Sequence, residues 1–236
     1  MSVQRTRRYQ AAPIRSPSQI SEDVQMPVNL YSLPGWLYQA IYLGSTLGLE
    51  ETQVKLPALR QLELQRGQTV LDWGCGTGLL LRSIADELKE GTIIAMDRSR
   101  ELLRKATSIR LPGFKGPCWF VVCDGCSDLC SHKPVDAVIA SYTLGIITPE
   151  QCERAIEGIH AILRPGGKVL IIDMYRPQAT GLLENAYYDA RAYFSNRLFQ
   201  QHFLGSPLQL AKRKFEELVY QEHPSQMSFS WMGRKA

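Results

Sequence analysis

Asp72, Asp97 and Asp124 each close a short apolar run, and the loop Gly74-Cys75-Gly76-Thr77-Gly78 follows directly on the first. A carboxylate at such a place can accept two hydroxyl hydrogen bonds at once, one on each oxygen. Glycines between a strand and a helix let backbone come close to a ligand. The helix start adds unpaired N–H groups and a partial positive charge. A dinucleotide-binding loop spaces its glycines G-x-G-x-x-G. Here Gly74 and Gly76 match that spacing and Leu79 stands at the third place, so the pattern fails at one position. One acid can end a strand in solvent with no further role. Three acids at successive strand ends, beside a glycine loop, point to one shared ligand. Tyr142, just past an apolar run, and His202, in a later aromatic stretch, could move a proton if the chemistry needs one.

These residues need a scaffold that gathers strand ends. Thr69 to Asp72 reads as a short buried strand, and Leu80, Ile84 and Leu88 as one face of a helix with Gly91 near its end. Thr92 to Asp97 is a second strand. Ser99 caps a helix over Arg100 to Arg110, with Pro112 and Gly113 beyond it. Pro117 to Asp124 and Val135 to Ser141 are the third and fourth strands. Thr148-Pro149-Glu150-Gln151 combines an N-cap threonine, proline at the first helical position and a capping-box glutamine. That helix ends near Leu163, and Lys168 to Asp173 is a fifth strand. Residues 215–221 and 226–232 form two closing strands. Repeated strand–helix units with apolar strands predict an α/β fold. It is a doubly wound, Rossmann-like, seven-stranded and mostly parallel sheet with an antiparallel closing strand and a helical cover.

Val70-Leu71-Asp72-Trp73-Gly74-Cys75-Gly76-Thr77-Gly78 resembles motif I of the class I S-adenosylmethionine-dependent methyltransferases. Asp97 stands 23 residues after Gly74, and Leu163-Arg164-Pro165-Gly166-Gly167 resembles the family's turn into its fifth strand. The resemblance spans roughly residues 65–175 and implies S-adenosyl-L-methionine as cofactor and S-adenosyl-L-homocysteine as product. It gives Asp72 the task of orienting the loop and the methionine amino group. It gives Gly74, Cys75, Gly76, Thr77 and Gly78 the cofactor-binding loop, Asp97 both ribose hydroxyls, and Arg98 a flank of the adenine ring. Asp124-Gly125 meets the adenine amino group, and Ser141 and Tyr142 the methionine part. On this reading residues 1–25 are a disordered basic arm and 26–62 an N-terminal helical cover. Residues 63–175 are the cofactor-binding core, 176–213 a helical cover over the acceptor, and 214–236 the closing strand pair.

The sulfonium makes the methyl group electrophilic, so such a protein supplies mainly orientation. Positioning alone can lower a barrier by ~7–11 kcal/mol. A catalytic base is needed only if the acceptor must lose a proton. Tyr31, Tyr38 and Tyr42 before the sheet, and Tyr187, Tyr188 and Tyr193 after it, could line an acceptor pocket. After the fourth strand stands Ala140-Ser141-Tyr142-Thr143, without the prolines of the Asn/Asp-Pro-Pro-Tyr motif common in nucleic-acid and protein amine methyltransferases. That favours a small-molecule or lipid acceptor, quinone-like, lipid or natural product. The overall plan is similar to quinone-biosynthesis C-methyltransferases and phospholipid N-methyltransferases.

Composition sets outer bounds. The 236 residues are 44% hydrophobic and 21% charged, enough for a buried core. A net charge of +4 is too weak a basic signature for a nucleic-acid partner. Arg5, Arg7, Arg8 and Arg15 give the first twenty residues a polybasic arm that could touch an anionic membrane surface or act as a transit peptide. No secretory signal or spanning segment is expected, so the chain reads as cytoplasmic, with that peripheral contact open. Cys118, Cys123, Cys126 and Cys130 lie near His132, and soft thiolates could bind zinc or arsenic(III). Their spacing fits no standard zinc site and the two on the third strand fall on opposite faces, so no metal is expected. Four readings stand: a small-molecule methyltransferase, an arsenite or thiol methyltransferase, a fold that binds the cofactor without methyl transfer (a cyclase or partner-binding module), and an NAD(P)-dependent oxidoreductase. Oligomeric state is not legible.

Overall fold

The computed structural model describes residues 50–123, 134–175, 181–182, 206–224 and 227–236. A π-helical turn over Glu51–Lys55 runs straight into α1, Leu56–Gln61. Then follow β1 (Thr69–Trp73), α2 (Leu81–Leu88), β2 (Thr92–Asp97), α3 (Arg100–Ala106), β3 (Cys118–Val122) and β4 (Val135–Ser141). The second half holds α4 (Pro149–Ile162), β5 (Leu163–Met174), α5 (Ser206–Lys214), β6 (Glu216–His223) and β7 (Ser228–Arg234).

The sheet order is β3-β2-β1-β4-β5-β7-β6. Strands β1 to β5 pair in parallel, and β7 enters antiparallel between β5 and β6. Six strands therefore share one direction and β7 opposes them. Strand side chains alternate between faces, and the two apolar layers follow that alternation. Leu71, Val138, Ile171 and Trp231 pack on one face with Ile156 and Ile159 of α4. Their chain neighbours Val70, Ile139, Ile172 and Met232 pack on the other with Ile84 and Leu88 of α2. Covering both faces requires the crossover helices to fall on both sides, which is the doubly wound plan.

Local signals account for most boundaries. Ser99 Oγ accepts from Leu102 N at 3.3 Å and starts α3. Thr148 and Gln151 form the reciprocal capping box at the start of α4. Helix α3 stops at Ala106, short of the expected Arg110, because the chain tightens there. Ser108 N reaches Lys105 O, Ile109 N reaches Ala106 O, and Thr107 Oγ1 takes the carbonyl of Arg104. The Arg164-Pro165-Gly166-Gly167 turn does not precede β5 but lies inside it. Leu163 pairs with Val135, the register then slips, and pairing resumes at Lys168 with Ala137. Gly166 at φ 75° makes that bulge, and its N–H donates to Lys235 O at 2.9 Å.

The strand order reverses at β1: the chain steps outward through β2 and β3, then returns to β4 on the other side. A crevice must open there, at the carboxyl ends of β1 and β4.

Candidate cofactor site

The crevice at that reversal is lined by the ends of β1, β2 and β4, by the glycine loop, and by Lys55 from the segment before the sheet. Gly74 N and Cys75 N both donate to Met96 O, at 2.8 and 2.9 Å, which turns the chain sharply off β1. At Gly76, φ is 56° and an added Cβ would meet nothing within 4 Å, since that face opens on the crevice. At Gly78 an added Cβ would come within 2.8 Å of Leu81 Cδ1 and 3.0 Å of Ala106 Cβ, so glycine lets α3 close on the loop. One glycine keeps space for a ligand and the other keeps the wall tight.

Asp97 is already engaged. Its Oδ2 accepts from Gly76 N and its Oδ1 from Ser99 N, each at 2.8 Å. The acid thus ties the loop to the start of α3, and each oxygen still has a lone pair for a hydroxyl. Burial raises its pKa, against the opposing pull of the Ser99 and Gly76 N–H groups and of Arg98.

Asp72 is 2% exposed. Burial pushes its carboxyl up to about 7, the Lys55 ammonium pulls it down, and Asp97 and Glu51 push it further up. Its Oδ2 is buried without a hydrogen-bond partner, as are Thr77 Oγ1 and Ser141 Oγ. Buried polar atoms are almost always paired, so three unpaired oxygens lining one crevice call for a ligand rich in donors. An α-ammonium and ribose hydroxyls are such donors.

At the end of β4, Tyr142 takes φ 53°, a left-handed backbone that a tyrosine rarely adopts. Its N–H donates to Ile172 O at 2.7 Å, and its hydroxyl lies 2.7 Å from Ser228 Oγ on β7. Lys55 Nζ sits 5.3 Å from the centre of its ring and 2.7 Å from Glu51 Oε1. Thr143 Oγ1 reaches back to Trp73 O at 3.2 Å, and Asp173 holds the next turn through Gly145 N at 2.8 Å. Ile146 and Ile147, with Leu79 and Leu80, then supply the crevice with apolar surface.

The expected residues Asp72, Gly74, Cys75, Gly76, Thr77, Asp97, Arg98, Ser141 and Tyr142 all line this crevice, and Gly78 packs just behind it. Cys75 is a half-buried thiol whose pKa is raised by desolvation, then by Asp72 and Asp97, which suits it to lining the crevice rather than to nucleophilic attack. Asp124, Gly125, His202, Tyr31, Tyr38, Tyr42, Tyr187, Tyr188 and Tyr193 lie outside the described residues, as do Cys126, Cys130 and the basic arm. Cys118 and Cys123 pack into opposite apolar layers. Among the described residues no group of three or more potential ligands could hold a metal. Nor is any helix among them long and apolar enough to cross a membrane. Lys55 was not foreseen from the sequence. Its one signal was Glu51 four residues earlier, the spacing of a helical ion pair.

A family described as a methyltransferase domain matches residues 70–167. An uncharacterized methyltransferase of Synechocystis sp. is 33% identical over 150 residues, covering 62% of this chain and 66% of that protein. The chain belongs to the class I S-adenosylmethionine-dependent methyltransferases. Two more relatives of this methyltransferase have narrower names. A carboxy-S-adenosyl-L-methionine synthase of Desulfotalea psychrophila is 34% identical over 115 residues, 48% of this chain and 46% of its own. A ubiquinone/menaquinone biosynthesis C-methyltransferase of Syntrophotalea carbinolica is 28% identical over 123 residues, 52% and 51% of the two chains. The chain thus spans about two thirds of the first relative's length and about half of the other two. In fold, the methyltransferase resembles a TehB-like SAM-dependent methyltransferase of Corynebacterium glutamicum, with TM-score 0.57, 18% identity, and 85% and 99% of the two chains covered. The unpaired oxygens of Asp72, Thr77 and Ser141 fit S-adenosylmethionine, the cofactor of this class.

Proposed function

We propose that this chain transfers the methyl group of S-adenosylmethionine to a small apolar or amphipathic acceptor, quinone-like, lipid or natural product. The observation that carries it is the composition of the crevice. Asp72 of β1, Asp97 of β2, Thr77 of the loop and Ser141 of β4 present acids and unpaired oxygens, while Leu79, Leu80, Ile146 and Ile147 offer apolar surface. The bound cofactor would supply an electrophilic methyl on a sulfonium. Asp72 Oδ2 would take the methionine ammonium, and Asp97 would use its remaining lone pairs for the ribose hydroxyls. Thr77 Oγ1 and Ser141 Oγ would close the polar shell. The apolar wall would exclude water and hold the acceptor in line, which is where the rate enhancement would arise. Tyr142 would serve as a wall residue, because its hydroxyl is shared with Ser228. The relative named for quinone biosynthesis supports an apolar ring as acceptor.

The test is incubation with methyl-labelled cofactor and, separately, a short-chain quinol, phosphatidylethanolamine vesicles and a polyphenol. Label in an organic-extractable product supports the reading. Label left wholly on the cofactor, with S-adenosylhomocysteine still raising the melting temperature, overturns it. The relative named carboxy-S-adenosyl-L-methionine synthase favours a second reading, in which the cofactor itself is altered. Mass spectrometry of the recovered nucleoside separates the two. A melting shift with NAD(P) alone would displace both.

A further inference from the structure

Lys55 is 5% exposed, an unusual place for an ammonium. It reaches the crevice from the turn Glu51–Lys55, outside the sheet, and lines the same wall as Asp72. Its charge is matched from two directions: by Glu51 Oε1 at 2.7 Å and by the Tyr142 ring face at 5.3 Å. In the same crevice, Asp72 Oδ2 is buried and unpartnered. An acceptor oxygen and an ammonium side by side are the complement of an α-amino-acid zwitterion.

We infer that Lys55 and Asp72 together hold the amino-acid end of the ligand, and that Glu51 occupies the place of the ligand's carboxylate until it binds. This rests on the cofactor reading and deepens it. In the unliganded protein the Glu51 carboxylate neutralises the buried Lys55 ammonium at 2.7 Å. A ligand carboxylate offers the same charge, with its ammonium bound to Asp72 at the same time. Glu51 is the more exposed partner, at 20% against 7% for the Lys55 side chain, so it is the one that can turn to water. Affinity is then set partly by a competition inside the chain, four residues apart.

Calorimetric titration of the full chain with three nucleosides tests this. S-adenosylhomocysteine carries the whole zwitterion, its decarboxylated analogue only the amine, and 5′-methylthioadenosine neither. Lys55→Met should weaken S-adenosylhomocysteine about ten- to a hundredfold, the range for a lost hydrogen bond to a charged group. It should leave 5′-methylthioadenosine within about twofold and weaken the decarboxylated analogue less than S-adenosylhomocysteine, since Lys55 also favours the ionised Asp72 that holds the amine. Lys55→Arg should recover most of the loss. Glu51→Gln should tighten S-adenosylhomocysteine about threefold or more and leave 5′-methylthioadenosine unchanged. The inference is overturned if Lys55→Met weakens all three equally, which would mark a folding role, or if it changes none. Should the wild type bind none of the three, the cofactor reading itself falls.

Discussion

Replacing Asp72 by asparagine should make the stability of the unliganded protein rise, relative to wild type, as the pH goes up. The acid's ordinary pKa is 3.8 and burial lifts it to about 7. A raised carboxyl binds its proton more tightly folded than unfolded. Its favourable contribution is therefore complete below 3.8 and is lost as pH climbs through about 7. The full difference, at about 1.4 kcal/mol per pH unit, is about 4 kcal/mol. About 2.5 kcal/mol of it falls between pH 5 and 8, a range where urea titrations are practical. Asparagine cannot titrate, and whatever fixed cost its amide brings is the same at every pH. The measurable quantity is thus the slope of the stability difference, not its value at one pH. Asp173, raised to about 6 by burial, is present in both proteins and cancels. Urea unfolding of both proteins at pH 5, 6, 7 and 8 gives that slope. A flat difference would show that Asp72 is not held in a desolvated site, and the account of an acid kept unsatisfied for a ligand would fail. The same variant should also lose S-adenosylhomocysteine binding, which titration calorimetry at pH 7 checks independently of that slope.

Gly76→Ala should cost about 1 kcal/mol of stability from its positive φ, and should weaken S-adenosylhomocysteine at least tenfold because its methyl group enters the crevice; titration calorimetry with an unchanged affinity would contradict the loop's assignment. Thr148→Ala removes one half of the capping box and should lower stability by about 1 kcal/mol without altering nucleotide affinity, as thermal melts with and without ligand would show. Deleting residues 1–25 should reduce sedimentation with anionic vesicles and leave neutral vesicles unaffected, if the basic arm meets a membrane surface; equal partitioning of both chains would remove that role.

What the sequence made legible was periodic or capped. Ser99 and Thr148 are caps with a local mechanism, so the starts of α3 and α4 could be read from neighbours alone. The alternation Val70/Leu71 and Ile171/Ile172 predicted strands covered on both faces. The glycine loop and Asp97 could be placed because motif spacing fixes them within one strand–helix–strand unit. What was hidden depends on distant partners. Lys55 carries no motif of its own in the sequence, and only the fold sets it against Asp72 and Tyr142. The bulge inside β5 was invisible because Leu163 looks like a helix end until Val135 pairs with it. That both Asp97 oxygens are spoken for by Gly76 and Ser99 is equally a product of the fold.

Tyr142 joins three parts of the chain that are far apart in sequence. It follows directly on β4, stacks under Lys55 from the segment before β1, and shares its hydroxyl with Ser228 on β7. Its left-handed backbone is a local cost that those contacts, with the bond from its N–H to Ile172 O, help to offset. During synthesis, then, the first five strands can emerge and pair while this wall of the crevice still lacks its brace. A chain arrested on the ribosome before Ser228 has left the exit tunnel would hold the glycine loop and both acids, yet lack the Ser228 partner of the Tyr142 hydroxyl. The order of translation would make the Tyr142–Ser228 contact the last part of this crevice wall to form.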